Sequence, residues 1–271
     1  MSPPLASTSG FLELHQPGAP LVMPNPWDVG SAKLFASLGF KALATTSSGH
    51  AATLGRLDGE VSREEALDHA SEIAAATELP VNADLEACFA KEPAAVAETI
   101  GLAKETGIVG CSVEDWSGEA IYDAGLAAER VAAAAQAAHS GTRRLVLTAR
   151  SENYLHGRRD LADTIGRLQS FQEAGADVVY APGVYAIDDI AQLVSSVDVP
   201  VNVLILPGGA TVGELASVDV ARVSVGGALN LVALGATTQA ARELLEAGTH
   251  SFWDTAKAGQ KARDEAFGPQ G

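Results

Sequence analysis

The stretch LPVNADLE, Leu79–Glu86, decides the fold. It opens as an apolar run and then sets Asn82, Asp84 and Glu86 at alternating positions. Side chains repeat every second residue in a strand, so a strand here turns all three polar groups toward one face. Carboxylates then stand where a core is expected, and the rest of the chain has to explain them.

Seven other runs follow the same plan: LVMPNPWD from Leu21, KALATTSSG from Lys41, IVGCSVEDW from Ile108, LVLTARSE from Leu145, DVVYAPG from Asp177, VPVNVLILPGG from Val199 and VARVSVGG from Val220. Helix signals lie between them. Ser62 with Glu65, and Thr211 with Glu214, have capping-box spacing, and Pro93 suits a first helical turn. Gly39, Gly107 and Gly175 follow apolar-periodic stretches, where a left-handed C-terminal cap is wanted. Eight strand-then-helix units within about 250 residues predict an α/β fold, a (β/α)8 TIM barrel over residues 1–248, with a helical tail over 249–271. A doubly wound sheet would want a Gly-rich phosphate turn after an early strand, and none follows the first run. LPGGATVGEL from Leu206 is Gly-rich and opens a helix, but reads more readily as a strand-to-helix connection.

Composition narrows the function. With 271 residues, 47% of them hydrophobic, the chain can bury a large core. A net charge of −16 repels a phosphate backbone, so no nucleic acid partner is expected. No apolar run approaches a membrane span, and the opening MSPPLASTSG lacks the basic and apolar regions of a signal peptide, so a cytoplasmic protein without membrane partners is expected. Two cysteines, Cys88 and Cys111, make neither a disulfide framework nor a zinc site, and both read as buried thiols.

In a barrel of this kind the chemistry sits at the C-terminal ends of the strands. Those ends carry Trp27 and Asp28; Thr46, Ser47, Ser48 and Gly49; Asn82, Asp84 and Glu86; Glu114 and Asp115; Arg150 and Glu152; Tyr180; Asn202; and Ser224. Asp84 and Glu114, with Asp58 on the loop after the second run, form a hard oxygen-rich set suited to Mg2+. Each acid alone would read as a cap or rim residue. Arg150, at the end of a buried strand, must be paired; an anionic substrate and a structural ion pair with Glu152 or Glu114 are equally good readings. The small residues of TTSSG offer N–H groups and hydroxyls to a substrate carboxylate, or form a plain polar turn. Together the residues describe a site for an anion chelated to a metal, as a 2-oxo acid is.

These motifs, with NPWDVGSAKLFASLGFKALATTSSG, LGRLDGEVSREE, GCSVEDW, TARSENYLHGR, AGADVVYAPG and ARVSVGGAL in this order, resemble the isocitrate lyase and phosphoenolpyruvate mutase superfamily over nearly the whole chain. The resemblance implies a (β/α)8 barrel whose last helix is exchanged between subunits, hence a homodimer or homotetramer. It implies a Mg2+ site at Asp58, Asp84 and Glu114 with Asn82 beside them, a substrate contact at Arg150, and a carboxylate received by Ser47, Ser48 and Gly49, with Trp27, Tyr180 and Asn202 lining the pocket. Glu114 and Arg150 are the catalytic candidates. Members of the mutase and lyase types usually carry an Asp where this chain has Asn82, a weaker ligand.

Other departures bear on activity. The loop after the fourth run, SGEAIYDAGLAAERV, has neither the Cys of the isocitrate and methylisocitrate lyases nor the Lys of the mutase gate, and the sixth run ends in YAPG where the mutase has a His. Lys41 stands at the wrong end of its run for a Schiff base. His50 and His156 lie in loops beyond strand ends and are open as acid or base groups. The expected activity is a Mg2+-dependent lyase that cleaves a C–C bond of a small 2-oxo acid, dicarboxylate or hydroxy-acid precursor through a stabilised enolate. The alternatives are C–P chemistry of the phosphoenolpyruvate mutase or phosphonopyruvate hydrolase type, and a non-catalytic 2-oxo-acid-binding protein. The tail carries Phe252 and Trp253, expected at an oligomer contact or folded back on its own barrel.

Overall fold

A computed structural model describes residues 7–268; residues 1–6 of the opening segment and the last three of the tail lie outside them. The eight runs form eight parallel strands: β1 (Leu21–Met23), β2 (Leu43–Ala44), β3 (Val81–Asp84), β4 (Gly110–Glu114), β5 (Val146–Arg150), β6 (Val178–Tyr180), β7 (Val201–Leu204) and β8 (Arg222–Ser224). Sheet order runs β1-β8-β7-β6-β5-β4-β3-β2, so first and last strands pair and the sheet curls into a barrel. β1 and β2 close the circle without a ladder. A backbone bond joins Ala44 N–H to the Pro24 carbonyl at 3.1 Å. Beside it the Asn25 amide donates to the Thr45 carbonyl at 3.0 Å, while its Oδ1 accepts from Val225 and Gly226 N–H at 3.1 and 3.0 Å.

Helices clothe this barrel: α1 (Thr8–Glu13), α2 (Val29–Ser37), α3 (Ser47–Thr53), α4 (Arg63–Ala76), α5 (Pro93–Ala103), α6 (Ala124–His139), α7 (Leu161–Glu173), α8 (Ile187–Ser195), α9 (Val212–Ser217), α10 (Ala228–Ala247) and α11 (Trp253–Phe267). The sequence signals are seen: Ser62 and Thr211 make complete capping boxes, Pro93 opens α5, and Gly39, Gly107 and Gly175 take positive φ. Leu, Ile, Val and Ala from strands and helices pack in the shell between them. Inside the barrel a second apolar cluster of Leu21, Met23, Ala42, Ala44, Val146 and Val178 is plugged by Phe11 of α1. Gly110 makes room for that plug, since a Cβ there would stand 2.9 Å from the Phe11 ring.

The two last helices differ in what covers them. α11, expected at an oligomer contact or folded back, packs on α2 of its own barrel. It is α10 that stands free: Asn230 is its one buried residue, and Leu231, Val232, Leu234, Leu244 and Leu245 face solvent. α10 ends in a left-handed C-terminal cap at Gly248. No described helix is long and apolar enough to cross a membrane.

Candidate active site

Strand alternation builds the mouth. Asp84 on β3, Arg150 on β5, Tyr180 on β6, Asn202 on β7 and Ser224 on β8 all line one inner pocket of about 140 Å³, together with Asn82, Asp58, Ser47 and Ser48. Glu114 on β4 faces an adjoining outer chamber of about 740 Å³, which also takes in Glu86, Trp116, Glu152 and His156. Ser47, Asp58, Leu155 and Arg150 border both.

Arg150 holds the two compartments together. Its Nη1 meets Asp84 Oδ1 at 2.9 Å, its Nη2 meets Glu114 Oε2 at 3.3 Å, and its Nε meets Glu152 Oε1 at 2.9 Å. The Tyr180 ring lies 5.3 Å from its guanidinium carbon. The ion-pair partners named from sequence, Glu114 and Glu152, are therefore both engaged, and Asp84 joins them. One cation faces a surplus of acids. Burial pushes the Asp58 carboxyl up, with the Asp84 charge adding to it against a hydrogen bond from Ser47. Burial, then the Asp84 and Asp58 charges, lift Glu86 to about 7. Glu114 is raised well above the usual range by burial, opposed by Arg150 and reinforced by its acidic neighbours.

Among the described residues no three His, Cys, Asp or Glu side chains converge as a preformed metal cluster. The Arg150 guanidinium stands between Asp84 and Glu114. The donor set nevertheless fits a hard divalent cation. It offers carboxylate oxygens of Asp58, Asp84 and Glu114, and the buried Asn82 Oδ1 has no hydrogen-bond partner.

Several expected site residues are placed elsewhere. Glu86 does not continue the alternation: β3 ends at Asp84, and Glu86 takes φ 50, which turns it to the outer chamber. Trp27 is not in the pocket lining; its ring stacks edge-on to Phe35 at 6.1 Å and its carbonyl is bound by His69 at 3.1 Å. The site reading of Gly49 is corrected too. Its N–H is used by the Thr46 cap at 3.3 Å, and a Cβ there would meet Thr46 Cγ2 at 2.6 Å, so it serves close packing. Ser47 and Ser48 open α3 facing the pocket, with the Ser47 N–H 3.4 Å from Asp84 Oδ2. Asp115 turns outward, where Arg167 Nη1 meets it at 3.0 Å and Glu152 N–H at 2.7 Å. His50 stacks on His69 at 3.9 Å, while His156 stacks on Trp116 at 3.5 Å within the outer chamber. Cys88 and Cys111 are buried, and burial pushes the Cys88 thiol up to about 12.

Arg222 was missed by the sequence reading, although it sits in an apolar strand run just as Arg150 does. It lines the inner pocket two residues below Ser224. The loop after β4 is short and pinned: Trp116 bridges Ile121, the Ser117 N–H donates to the Ala120 carbonyl at 3.0 Å, and the Ser117 hydroxyl accepts from Ala120 N–H at 2.9 Å.

Comparison with known proteins places this geometry in context. Residues 11–245 match the family model described as phosphoenolpyruvate phosphomutase. A crystal structure from Burkholderia cenocepacia J2315, assigned provisionally as a lyase/mutase, is 47% identical, with 97% of this chain and 96% of that one covered and a TM-score of 0.91. An uncharacterized protein of Mycobacterium tuberculosis (strain ATCC 25618 / H37Rv) is 34% identical over 86% of this chain and 87% of its own. Phosphonopyruvate hydrolase, solved with oxalate and Mg2+, is 21% identical with a TM-score of 0.82, over 96% of this chain and 94% of that one; this likeness shows a shared fold.

Proposed function

Because the chain belongs to the phosphoenolpyruvate phosphomutase family, within the superfamily of phosphoenolpyruvate mutases and isocitrate lyases, we propose that it is a Mg2+-dependent lyase acting on a small 2-oxo acid or its hydroxy-acid precursor. The observation that carries this reading is the meeting of acids from adjacent strands with Arg150 at the barrel mouth. Asp84, Glu114 and Asp58, with Asn82 beside them, would hold the ion. When bound, Mg2+ supplies Lewis-acid stabilisation of negative charge on a substrate oxygen. Ser47 and Ser48 receive and orient the substrate carboxylate from the opening turn of α3. Arg150 directs its N–H groups to the oxygen on which charge builds as the neighbouring C–C bond breaks, and that charge is larger in the transition state than in the substrate. Tyr180 and Asn202 line the opposite side of the pocket.

The pinned loop after β4 carries neither the Lys of the mutase gate nor the Cys of the isocitrate and methylisocitrate lyases, so adding phosphonopyruvate to the substrates assayed is what separates C–P from C–C cleavage. Asp84→Ala tests the metal reading. Calorimetric Mg2+ titration should show binding to the native protein that the variant loses while its circular dichroism is kept; an unchanged titration would remove Asp84 from the site. Turnover of a panel of 2-oxo acids, set against binding of the same compounds, separates an enzyme from a binding protein.

The assembly follows from α10. A helix with five exposed Leu or Val side chains presents more apolar surface than a monomer usually leaves in water. Exchange of α10 onto a partner barrel would cover it, giving a homodimer or homotetramer. Light scattering at micromolar concentration should return a multiple of 27.8 kDa, and a 27.8 kDa particle would overturn the exchange.

A further inference from the structure

Arg222 lines the inner pocket, and no described acid answers it. Its Nε donates to Asn202 Oδ1 at 2.9 Å and its Nη2 to Thr148 Oγ1 at 3.0 Å. The third partner is His15, whose Nε2 lies 3.3 Å from Nη1. His15 Nδ1 lies 3.0 Å from the Phe11 carbonyl, and this fixes the tautomer: Nδ1–H donates there, leaving Nε2 free to accept from the guanidinium. Burial, and then the Arg222 charge, lower the imidazole to about 3, so it is neutral. All three partners are thus uncharged, and no described carboxylate lies within ion-pair distance of Arg222. Yet the residue is 2% exposed.

A buried guanidinium without a counter-charge is costly unless something supplies one. Two other buried arginines are held within the scaffold: Arg167 has Asp115 and Asp163, and Arg130 turns Nη1 and Nη2 to the carbonyls of Ala87, Ala90 and Lys91, with its Nε left without a partner. Arg222 differs in lining a pocket. Arg222 also has five donors, of which three are engaged. Its Nη2 bonds Thr148 of β5, two residues before Arg150, and both arginines line the same inner pocket, so one small ligand with two anionic groups can meet both.

We propose that Arg222 receives a second anionic group of the ligand, so that the inner pocket selects a short 2-oxo or 2-hydroxy dicarboxylate over the corresponding monocarboxylate. The proposal rests on the reading that the mouth binds such acids. One end of the ligand engages Arg150 and the residues around it, and the distal carboxylate reaches down to the free N–H groups of Arg222.

Lactate and malate form a stable matched pair, since malate is lactate with one more carboxylate. Calorimetry on the native protein with saturating Mg2+ should show malate bound at least tenfold more tightly than lactate. Arg222→Gln should bring malate to within twofold of lactate, and Arg222→Lys should restore part of the preference. Equal affinities in the native protein would overturn the role of Arg222 while leaving the mouth's reading in place, and this outcome needs no variant to fold. A folded Arg222→Gln protein that keeps the tenfold preference would overturn it as well. Binding of neither acid would overturn both readings together.

Discussion

Glu114 and Asp115 are neighbours in the chain and opposites in the structure. Glu114, the last residue of β4, points to the outer chamber and to Arg150. Asp115 points behind the strand to Arg167 of α7 and to the Glu152 N–H. Both carboxyls are raised by burial, Asp115 to about 6, so neither pKa alone identifies the functional one. Their partners separate them. Arg167 is fastened on a second side by Asp163 at 2.8 Å and by the Tyr122 carbonyl at 2.9 Å, all within the scaffold. Arg150 is ringed by acids at the edge of two pockets. An ion pair that ties elements together has its charge matched by protein, whereas one at the mouth sits in an excess of negative charge that a further cation would relieve.

Breaking the scaffold pair should have the largest effect. Asp115→Ala leaves Arg167 short of one partner in a dry setting, and a loss of about 3 kcal/mol of unfolding free energy is expected, the low end for a buried pair broken on one side because Asp163 remains. Urea unfolding measures it; a midpoint equal to the native one would move Asp115 to the class of solvated acids. Arg150→Lys strikes the other side of the comparison. Lysine keeps the charge and loses the planar fork, so pyruvate affinity in the presence of Mg2+ should fall by about 1–3 kcal/mol. Equal affinity in calorimetry would make Arg150 a second scaffold arginine. The smallest change sharpens the picture at β3. Asn82→Asp adds a charged oxygen beside Asp84 and should tighten Mg2+ about tenfold, or ~1.4 kcal/mol. An unchanged constant would place the Asn82 amide outside the ion's reach.

Much of the barrel was legible because its period and its punctuation agree. Eight apolar runs, two capping boxes and three glycines at positive φ all point to the same strand-helix alternation. Asp84, Glu114 and Arg150 were legible for the same reason, being polar groups at the ends of apolar runs. What escaped was the direction of individual side chains once a strand has ended. Glu86 continues the alternation on paper but sits in a left-handed turn with Cys88 and Phe89, at φ 50, 56 and 55, a conformation not signalled by these residue types. Trp27 and Gly49 lie at strand ends in sequence, yet one serves the shell packing and the other a tight helix start. Arg222 was visible in ARVSV by the argument applied to Arg150: a guanidinium within a buried strand must have a partner.

The Asn25 side chain makes the barrel a clasped ring. Seven of its seams are ladders of backbone bonds, but the eighth, between β1 and the two-residue β2, is held by the single Ala44-to-Pro24 backbone bond and by one carboxamide that also grips the start of the loop after β8. Amide exchange is governed by the weakest local opening, and this seam is where exchange of the wall is expected to be fastest. Asn25 lines the inner pocket, and Thr45, which it holds, anchors the Asp84 N–H at 2.8 Å. Opening of this seam would therefore alter the bore of the barrel and the posture of an acid at its mouth together.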